Sequence, residues 1–205
     1  AGANPNTANS NGDPPHIPAC QKGSDNILQM LVDAGANIAL HNPERDNSVM
    51  ICSRNGKIKC LEILLIEAKR LGIHKELMEY YADIDGFDSF LGASEQDRSA
   101  CMELLHKFGA DIERKSCNGN SIEGATAVHV AAKYGCILAL KTLKSMGCDL
   151  NVRTEGENKT ALHFAIENKH IEVTRYLMGE NVELVQDSNG HLPTYYASVE
   201  GNEDI

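Results

Sequence analysis

The sequence predicts an all-α protein, a solenoid of stacked helix-turn-helix units joined by hairpin-like finger loops. Three observations carry that prediction. The triplet Gly2-Ala3-Asn4 returns as Gly35-Ala36-Asn37, Gly109-Ala110-Asp111 and Gly147-Cys148-Asp149, and apolar runs at helical spacing such as Ile27-Leu28-Met30-Leu31 and Met102-Leu104-Leu105 precede it. The run Thr126-Ala127-Val128-His129-Val130-Ala131-Ala132 returns in fixed phase as Thr160-Ala161-Leu162-His163-Phe164-Ala165. The composition is 42% hydrophobic with no Trp, six Tyr and four Phe, so any core is built from Leu, Ile, Val, Ala, Met and Cys, sizes that suit thin helical layers.

The two markers set the phase. A repeat-opening position is filled by Gly12, Arg45, Gly86, Gly124, Asn158 and Gly190, at spacings of 33, 41, 38, 34 and 32. A period near 33 is that of a two-helix repeat. The 205 residues divide into a tail of a preceding repeat (1–9), repeats over about 10–40, 41–82, 83–114, 115–153 and 154–185, and a partial sixth over 186–205. The array reads as one body, and both ends read as cuts from a longer one.

Within each repeat the first helix opens on a hydroxyl. Thr126 and Thr160 stand where a side-chain oxygen can satisfy the orphan N–H groups of a first turn. Small pairs follow near its end, Ala19-Cys20, Cys52-Ser53, Ala131-Ala132, Ala165-Ile166 and Ala197-Ser198, where a larger side chain would overpack neighbouring helices. Second helices carry the longer apolar stripe, as in Ile58-Leu61-Ile63-Leu64-Leu65 and Ile171-Val173-Tyr176-Leu177. No repeat buries that stripe alone, so stacking supplies the partner. Gly35, Gly109 and Gly147 stop the second helices, with Asn181 in their place in repeat five, because a left-handed residue ends a helix there. An extended stretch such as Asp149-Leu150-Asn151-Val152 then leads into the finger.

Two spacings exceed the period. The segment 69–81 reads as helix, predicting a lengthened second helix in repeat two or an added short one. Polar, turn-rich residues around Lys115 to Ser121 predict a longer finger. Insertions of this kind fall on loops and often on a binding face.

These residues resemble the ankyrin repeat, whose pattern is Gly-x-Thr-Pro-Leu-His-x-Ala-Ala, a short loop, a second helix ending in Leu-Leu, then Gly-Ala-Asp. The resemblance covers essentially the whole chain. It departs at Asn47-Ser48-Val49-Met50 and Asp88-Ser89-Phe90-Leu91, which stand where the family has Thr-Pro-Leu-His. The resemblance implies that His129 and His163 bond the neighbouring repeat's backbone rather than perform chemistry. It implies recognition of another protein, or of another part of the parent chain, through a concave groove lined by finger tips and the exposed side of the first helices. Carried over residue by residue, that groove holds Gln21, Lys22, Arg54, Asn55, Phe87, Glu95, Gln96, Lys133, Tyr134, Glu167 and Asn168, with Tyr134 and Phe87 as anchors. A second reading makes the segment the accessory region of a larger enzyme, channel or effector whose working domain lies elsewhere. A third makes it a spacer.

Other chemistry finds no support in the residues. A formal net charge of -10 repels phosphate and argues against a nucleic-acid partner. Seven cysteines at 20, 52, 60, 101, 117, 136 and 148 show no framework of pairs, which points to a reducing, cytoplasmic compartment. Without Cys-x-x-Cys or His-x-x-x-His the sequence predicts no metal, and Cys20, Cys52, Cys60 and Cys101 align with apolar positions. Cys117 and Cys136 are predicted exposed. Asp83, Asp85 and Asp88 lack the order and closing Glu of a calcium loop. No Gly-x-x-x-x-Gly-Lys cradles a phosphate, and no His is held beside a thiol for nucleophilic work, so neither cofactor nor catalysis is predicted. Asn151 resembles the asparagine that hydroxylases modify in some such repeats, though a turn-stabilising role accounts for it. No apolar run is long enough to span a bilayer, and the first residues lack the basic and apolar regions of a signal peptide, although the parent protein could be tethered elsewhere.

Overall fold

The structure, a computed structural model, describes residues 3–80, 86–117 and 124–199. First helices α1 (His16–Lys22), α3 (Ser48–Arg54), α6 (Ser89–Glu95), α8 (Ala127–Lys133), α10 (Ala161–Glu167) and α12 (Pro193–Val199) pack side by side as one layer. Second helices α2 (Asp25–Asp33), α4 (Ile58–Leu71), α7 (Ser99–Lys107), α9 (Ile137–Ser145) and α11 (Ile171–Gly179) form the other, and α5 (His74–Met78) is extra. The described residues contain no strand beyond one isolated antiparallel bridge between His41 and Asn47.

The repeat is written in the backbone as well as in the side chains. All six repeat-opening positions, including the non-glycines Arg45 (φ 69°) and Asn158 (φ 56°), are left-handed. A second left-handed residue joins the two helices of each repeat at Gly23, Gly56, Asp97, Gly135 and Lys169, and a third ends the second helix at Gly35, Gly72, Gly109, Gly147 and Asn181. Each reversal thus has the same handedness in every unit, so successive helix pairs stack in parallel.

Capping explains where the first helices begin. Thr126 and Thr160 cap α8 and α10 in reciprocal boxes, with the His129 and His163 Nδ1 atoms accepting from the Thr backbone N–H at 3.1 Å. The sequences that depart from the family do the same work with other oxygens. Asn47 Oδ1 accepts from Met50 N at 2.8 Å, and Asp88 Oδ1 accepts from Phe90 N and Leu91 N at 2.9 Å. Asp88 is therefore a helix cap; Asp83 and Asp85 lie outside the described residues.

The core runs between the layers. Val49, Phe90, Val128 and Leu162 from first helices meet Leu61, Leu64, Met102, Leu105, Leu140, Leu143, Val173 and Leu177 from second helices, all buried. Ala131, Ala132 and Ala165 are fully buried, as close helix approach requires. The predicted apolar runs have three exposed members, Ile27 (55%) and Met30 (70%) on α2 and Ile58 (43%) at the start of α4.

The insertion in repeat two takes both forms that its sequence allows. Helix α4 runs to 14 residues and stops at left-handed Gly72 (φ 77°), and α5 follows. Leu77 and Met78 of α5 are buried, and Asn47 Nδ2 donates to Leu77 O at 2.9 Å, fastening the insert to the start of α3. The predicted long finger after Lys115 lies mostly outside the described residues; Ser116 N pairs with Ala125 O at 2.8 Å across its base.

Finger bases share one device. A side-chain oxygen of Asn42, Ser116, Thr154 and Asp187 accepts from the main chain of the returning strand, at 2.7, 3.0, 3.1 and 2.9 Å. The approach to the finger is not extended as the sequence reading has it. Leu150 and Asn151 form a turn because the Asp149 carboxylate accepts from Asn151 N at 2.8 Å.

Candidate functional site

Ten of the predicted groove residues occupy the C-terminal ends of first helices. Arg54, Glu95, Lys133 and Glu167 are the last helical residues of α3, α6, α8 and α10, and Asn55, Gln96, Tyr134 and Asn168 are the residues that cap them. Gln21 and Lys22 end α1. The caps Asn55, Gln96, Tyr134 and Asn168 are exposed, Tyr134 by 42%, whereas Arg54, Glu95, Lys133 and Glu167 are half-buried against the layer.

The half-buried side chains engage one another and the fold. Arg54 Nη2 and Glu95 Oε2 pair at 2.9 Å between consecutive repeats. Arg54 lies across α6 over Gly92, where a Cβ would sit 2.8 Å from Arg54 Cγ. Lys133 Nζ stands 5.6 Å from the Tyr134 ring centroid. Glu167 accepts from Lys159 Nζ at 3.2 Å through both oxygens, and Glu157 lies 3.2 Å from the same ammonium. The Tyr196 ring is 5.0 Å from that ammonium. Burial alone would lower the Lys159 pKa, but the two carboxylates outweigh it and hold it above the ordinary value. The charges along the edge thus alternate from Arg54 through Glu95 and Lys133 to Glu167 and are already partnered at several points.

Phe87 does not belong to this surface. It is 2% exposed and packs into the core; Ala125 and Lys159 at the same place of other repeats are also buried, whereas Asp13, Asp46 and His191 there are half-buried. The Phe87 ring therefore adds core area and offers a partner nothing. Cys136 is likewise buried, at 6% exposed; Cys117 is the exposed thiol among the seven, all of which are free.

Sequence reasoning misses a set of bonds that fixes the edge. The residue after the interhelical left-handed turn reaches back to the main-chain carbonyl at the end of the preceding first helix. Arg98 Nε donates to Arg54 O at 3.2 Å, Cys136 Sγ to Glu95 O at 3.1 Å, and His170 Nε2 bonds Lys133 O at 2.7 Å. Asp97 accepts from Ala139 N at 2.7 Å, capping the second helix of the next repeat. The residue types differ at each step, so no motif announces them; their common offset from the repeat opening does.

The histidines of the repeat are structural. His129 Nε2 bonds Val152 O at 2.9 Å and His163 Nε2 bonds His191 O at 3.3 Å, both in the following finger. Burial lowers both pKa values, that of His129 to about 4, which keeps the ring neutral at pH 7. Asn151 Oδ1 accepts from Glu183 N of the next repeat at 2.7 Å, as Asn6 Oδ1 does from Asn37 N at 2.7 Å. Among the described residues no three His, Cys, Asp or Glu side chains gather to hold a metal ion, and no helix is long and apolar enough to cross a membrane.

Residues 128–205 match the family model of ankyrin repeats in three copies. The NF-kappa-B inhibitor cactus of Drosophila yakuba is 26% identical over 155 residues, covering 76% of this chain and 28% of that protein. The human transient receptor potential cation channel subfamily A member 1 is 28% identical over 203 residues, covering 98% of this chain and 17% of that protein. The chicken nuclear factor NF-kappa-B p105 subunit is 24% identical over 200 residues, 91% of this chain and 20% of that protein. The chain therefore spans well under a third of the length of these relatives. The human ASB11 ankyrin repeat domain superposes with a TM-score of 0.73 at 20% identity, over 89% of this chain and 76% of that one. Residues 128–205 thus carry the family's repeats, and the fold of the chain is that of an ankyrin-repeat array.

Proposed function

We propose that this array is a non-catalytic recognition module that binds a partner protein along the edge formed by the ends of its first helices and the adjoining fingers. One observation carries the reading: Gln21, Arg54, Glu95, Lys133 and Glu167, each beside a polar or aromatic neighbour, stand at matching places in five successive repeats. An ordered row of mixed charge with a half-exposed tyrosine at Tyr134 suits a hydrogen-bonded interface with a central aromatic anchor. The repeat boundaries given above are part of the proposal, and seven free thiols fit a reducing, intracellular compartment.

Ankyrin repeats are in general protein-interaction modules, and three of the relatives above fit that use. A second reading, the accessory region of a larger working protein, is favoured by the match of 98% of this chain to 17% of a cation channel subunit. Both readings use the same surface and differ in whether the partner is a separate chain.

Site-directed photo-crosslinking tests the surface. A benzophenone amino acid at position 134 is expected to capture a partner, and the same probe at Met30, 70% exposed on α2, is expected to capture none. Capture through position 30 and not through position 134, or capture unaffected by combining Lys133→Glu with Asn168→Asp, sinks the assignment.

A further inference from the structure

The edge where first helices turn into second helices reverses the charge balance of the chain. Over residues 21–26, 54–59, 95–100, 133–138 and 167–172 it carries seven Lys or Arg and five Asp or Glu. In the whole sequence the acids lead by 29 to 19.

The five carboxylates are all engaged within the fold. Asp25 faces Lys59 at 3.7 Å, Glu95 pairs with Arg54 at 2.9 Å, and Asp97 accepts from Ala139 N at 2.7 Å. Glu167 accepts from Lys159 at 3.2 Å, and Glu172 pairs with Arg175 at 3.0 Å. Among the described residues, Lys22, Lys57, Arg98 and Lys133 have no carboxylate at ion-pair distance. The charge left over on the edge is therefore positive.

Three of these cations are laid out in series by the backbone. Lys57 lies along Gly23, next to Lys22, with its Cδ 2.8 Å and its Nζ 3.5 Å from the point where a Gly23 Cβ would stand. Arg98 crosses Gly56, next to Lys57, with its Cδ 3.1 Å from the corresponding point and its Nε on Arg54 O at 3.2 Å. Each side chain thus leans back onto the turn of the preceding repeat, which makes Lys22, Lys57 and Arg98 one ladder. Lys133 continues the sign in repeat four. A hollow of about 290 Å³, lined by Gly23, Asp25, Lys57, Ile58, Lys59 and Cys60, opens beside the first rung.

A row of like charges without counter-charges attracts an anion, and the rest of the molecule decides which kind. A duplex or an anionic bilayer is broad enough to lie against the body as well as the edge, and a formal net charge of -10 repels it. A short acidic stretch of protein can meet the edge alone. Packed helices stand about 8–10 Å apart, a step that an extended chain covers in about three residues.

We propose, on the strength of the recognition reading above, that the edge of repeats one to four binds an extended acidic peptide segment, its carboxylates facing Lys22 and Lys57, then Arg98, then Lys133.

Fluorescence anisotropy of the full chain with a labelled peptide of four Glu-Gly-Ser triplets tests this, beside the same peptide with Gln for Glu. The Glu peptide is expected to bind saturably, to weaken on the order of tenfold between about 20 and 200 mM NaCl, and to outbind the Gln peptide throughout. Lys22→Glu and Lys57→Glu are each expected to weaken it several-fold. Lys107→Glu makes the same change of net charge at the far end of α7 and is expected to leave binding within about twofold. Absence of binding, equal binding of the two peptides, or an equal loss in Lys107→Glu overturns the proposal. So does tighter binding of duplex DNA or of phosphatidylserine vesicles than of the Glu peptide. If a variant folds poorly, the two peptides on the unaltered chain decide the matter. Capture of a partner through position 134 without binding of the Glu peptide keeps the recognition edge and rejects an acidic partner.

Discussion

Arg54 and Glu95 hold the same place in consecutive repeats and bind each other at 2.9 Å, so the proposed recognition edge is in part satisfied by itself. A partner that engages either side chain must displace or share the other. The side chains are 27% and 10% exposed, so the pair is half-buried and still in reach of solvent screening. A double-mutant cycle with Arg54→Ala and Glu95→Gln is expected to give a coupling of about 0.2–1 kcal/mol in urea unfolding. A coupling several times larger would mean the pair holds repeats two and three together and is unavailable for recognition.

Leu162 is 1% exposed and lies in the core shared by the repeats. Leu162→Ala is expected to cost about 2–5 kcal/mol through lost contacts and the cavity left behind. Thermal and chemical denaturation measure it, and an unchanged melt would refute the repeat phase.

Lys169 adopts φ 60° at the interhelical turn where three other repeats have glycine at Gly23, Gly56 and Gly135. A side chain with a Cβ is strained there by about 1 kcal/mol. Lys169→Gly is therefore expected to raise stability by roughly that amount, less the entropy that glycine adds to the unfolded chain. Calorimetry reads the outcome as a higher Tm, and a lower one would show that the Lys169 side chain contributes more than its backbone costs.

Two buried groups respond to pH in opposite senses. Burial pushes the Asp88 carboxyl up to about 6, against the Leu91 N–H bond and the Arg114 guanidinium, so its stabilising contribution is full below pH 3.8 and lost as pH rises through about 6. Burial lowers His129 to about 4, so its contribution is present above pH 6.5 and lost as pH falls through about 4. Asp88→Asn keeps the capping oxygen and removes the first response. Relative to wild type it is expected to be favoured at pH 7 by an amount on the order of 2 kcal/mol and to lose that advantage toward pH 4. Urea midpoints at both values check it; parallel profiles would show that Asp88 does not titrate in this range.

Much of the fold is legible in the sequence because the repeat states its own phase several times. Thr126 with His129 and Thr160 with His163 are local signals, complete within four residues, and their offset locates the left-handed repeat openings, including those at Arg45 and Asn158. Asn47 and Asp88 break the motif but keep its chemistry, since either side chain offers the oxygen that a first turn needs. What is not legible is which face a residue near a turn will show. Phe87 follows a repeat-opening glycine just as Asp13 follows Gly12, yet the first is buried in the core and the second half-buried, a difference that the packing of the layers decides. The bonds from Arg98, Cys136 and His170 are hidden for a related reason: three unlike side chains meet one requirement, a donor that reaches a carbonyl of the preceding repeat.

Those bonds separate two properties that most binding surfaces must evolve together. Each fixes a peptide group of one unit to the next, so the interval between neighbouring stations is held by the scaffold, and the side chains at Arg54, Glu95 and Lys133 hang from it like type in a composing frame. Letters can be exchanged without resetting the line. Divergence in what such a surface reads can then proceed one station at a time, while the spacing at which it reads stays inherited.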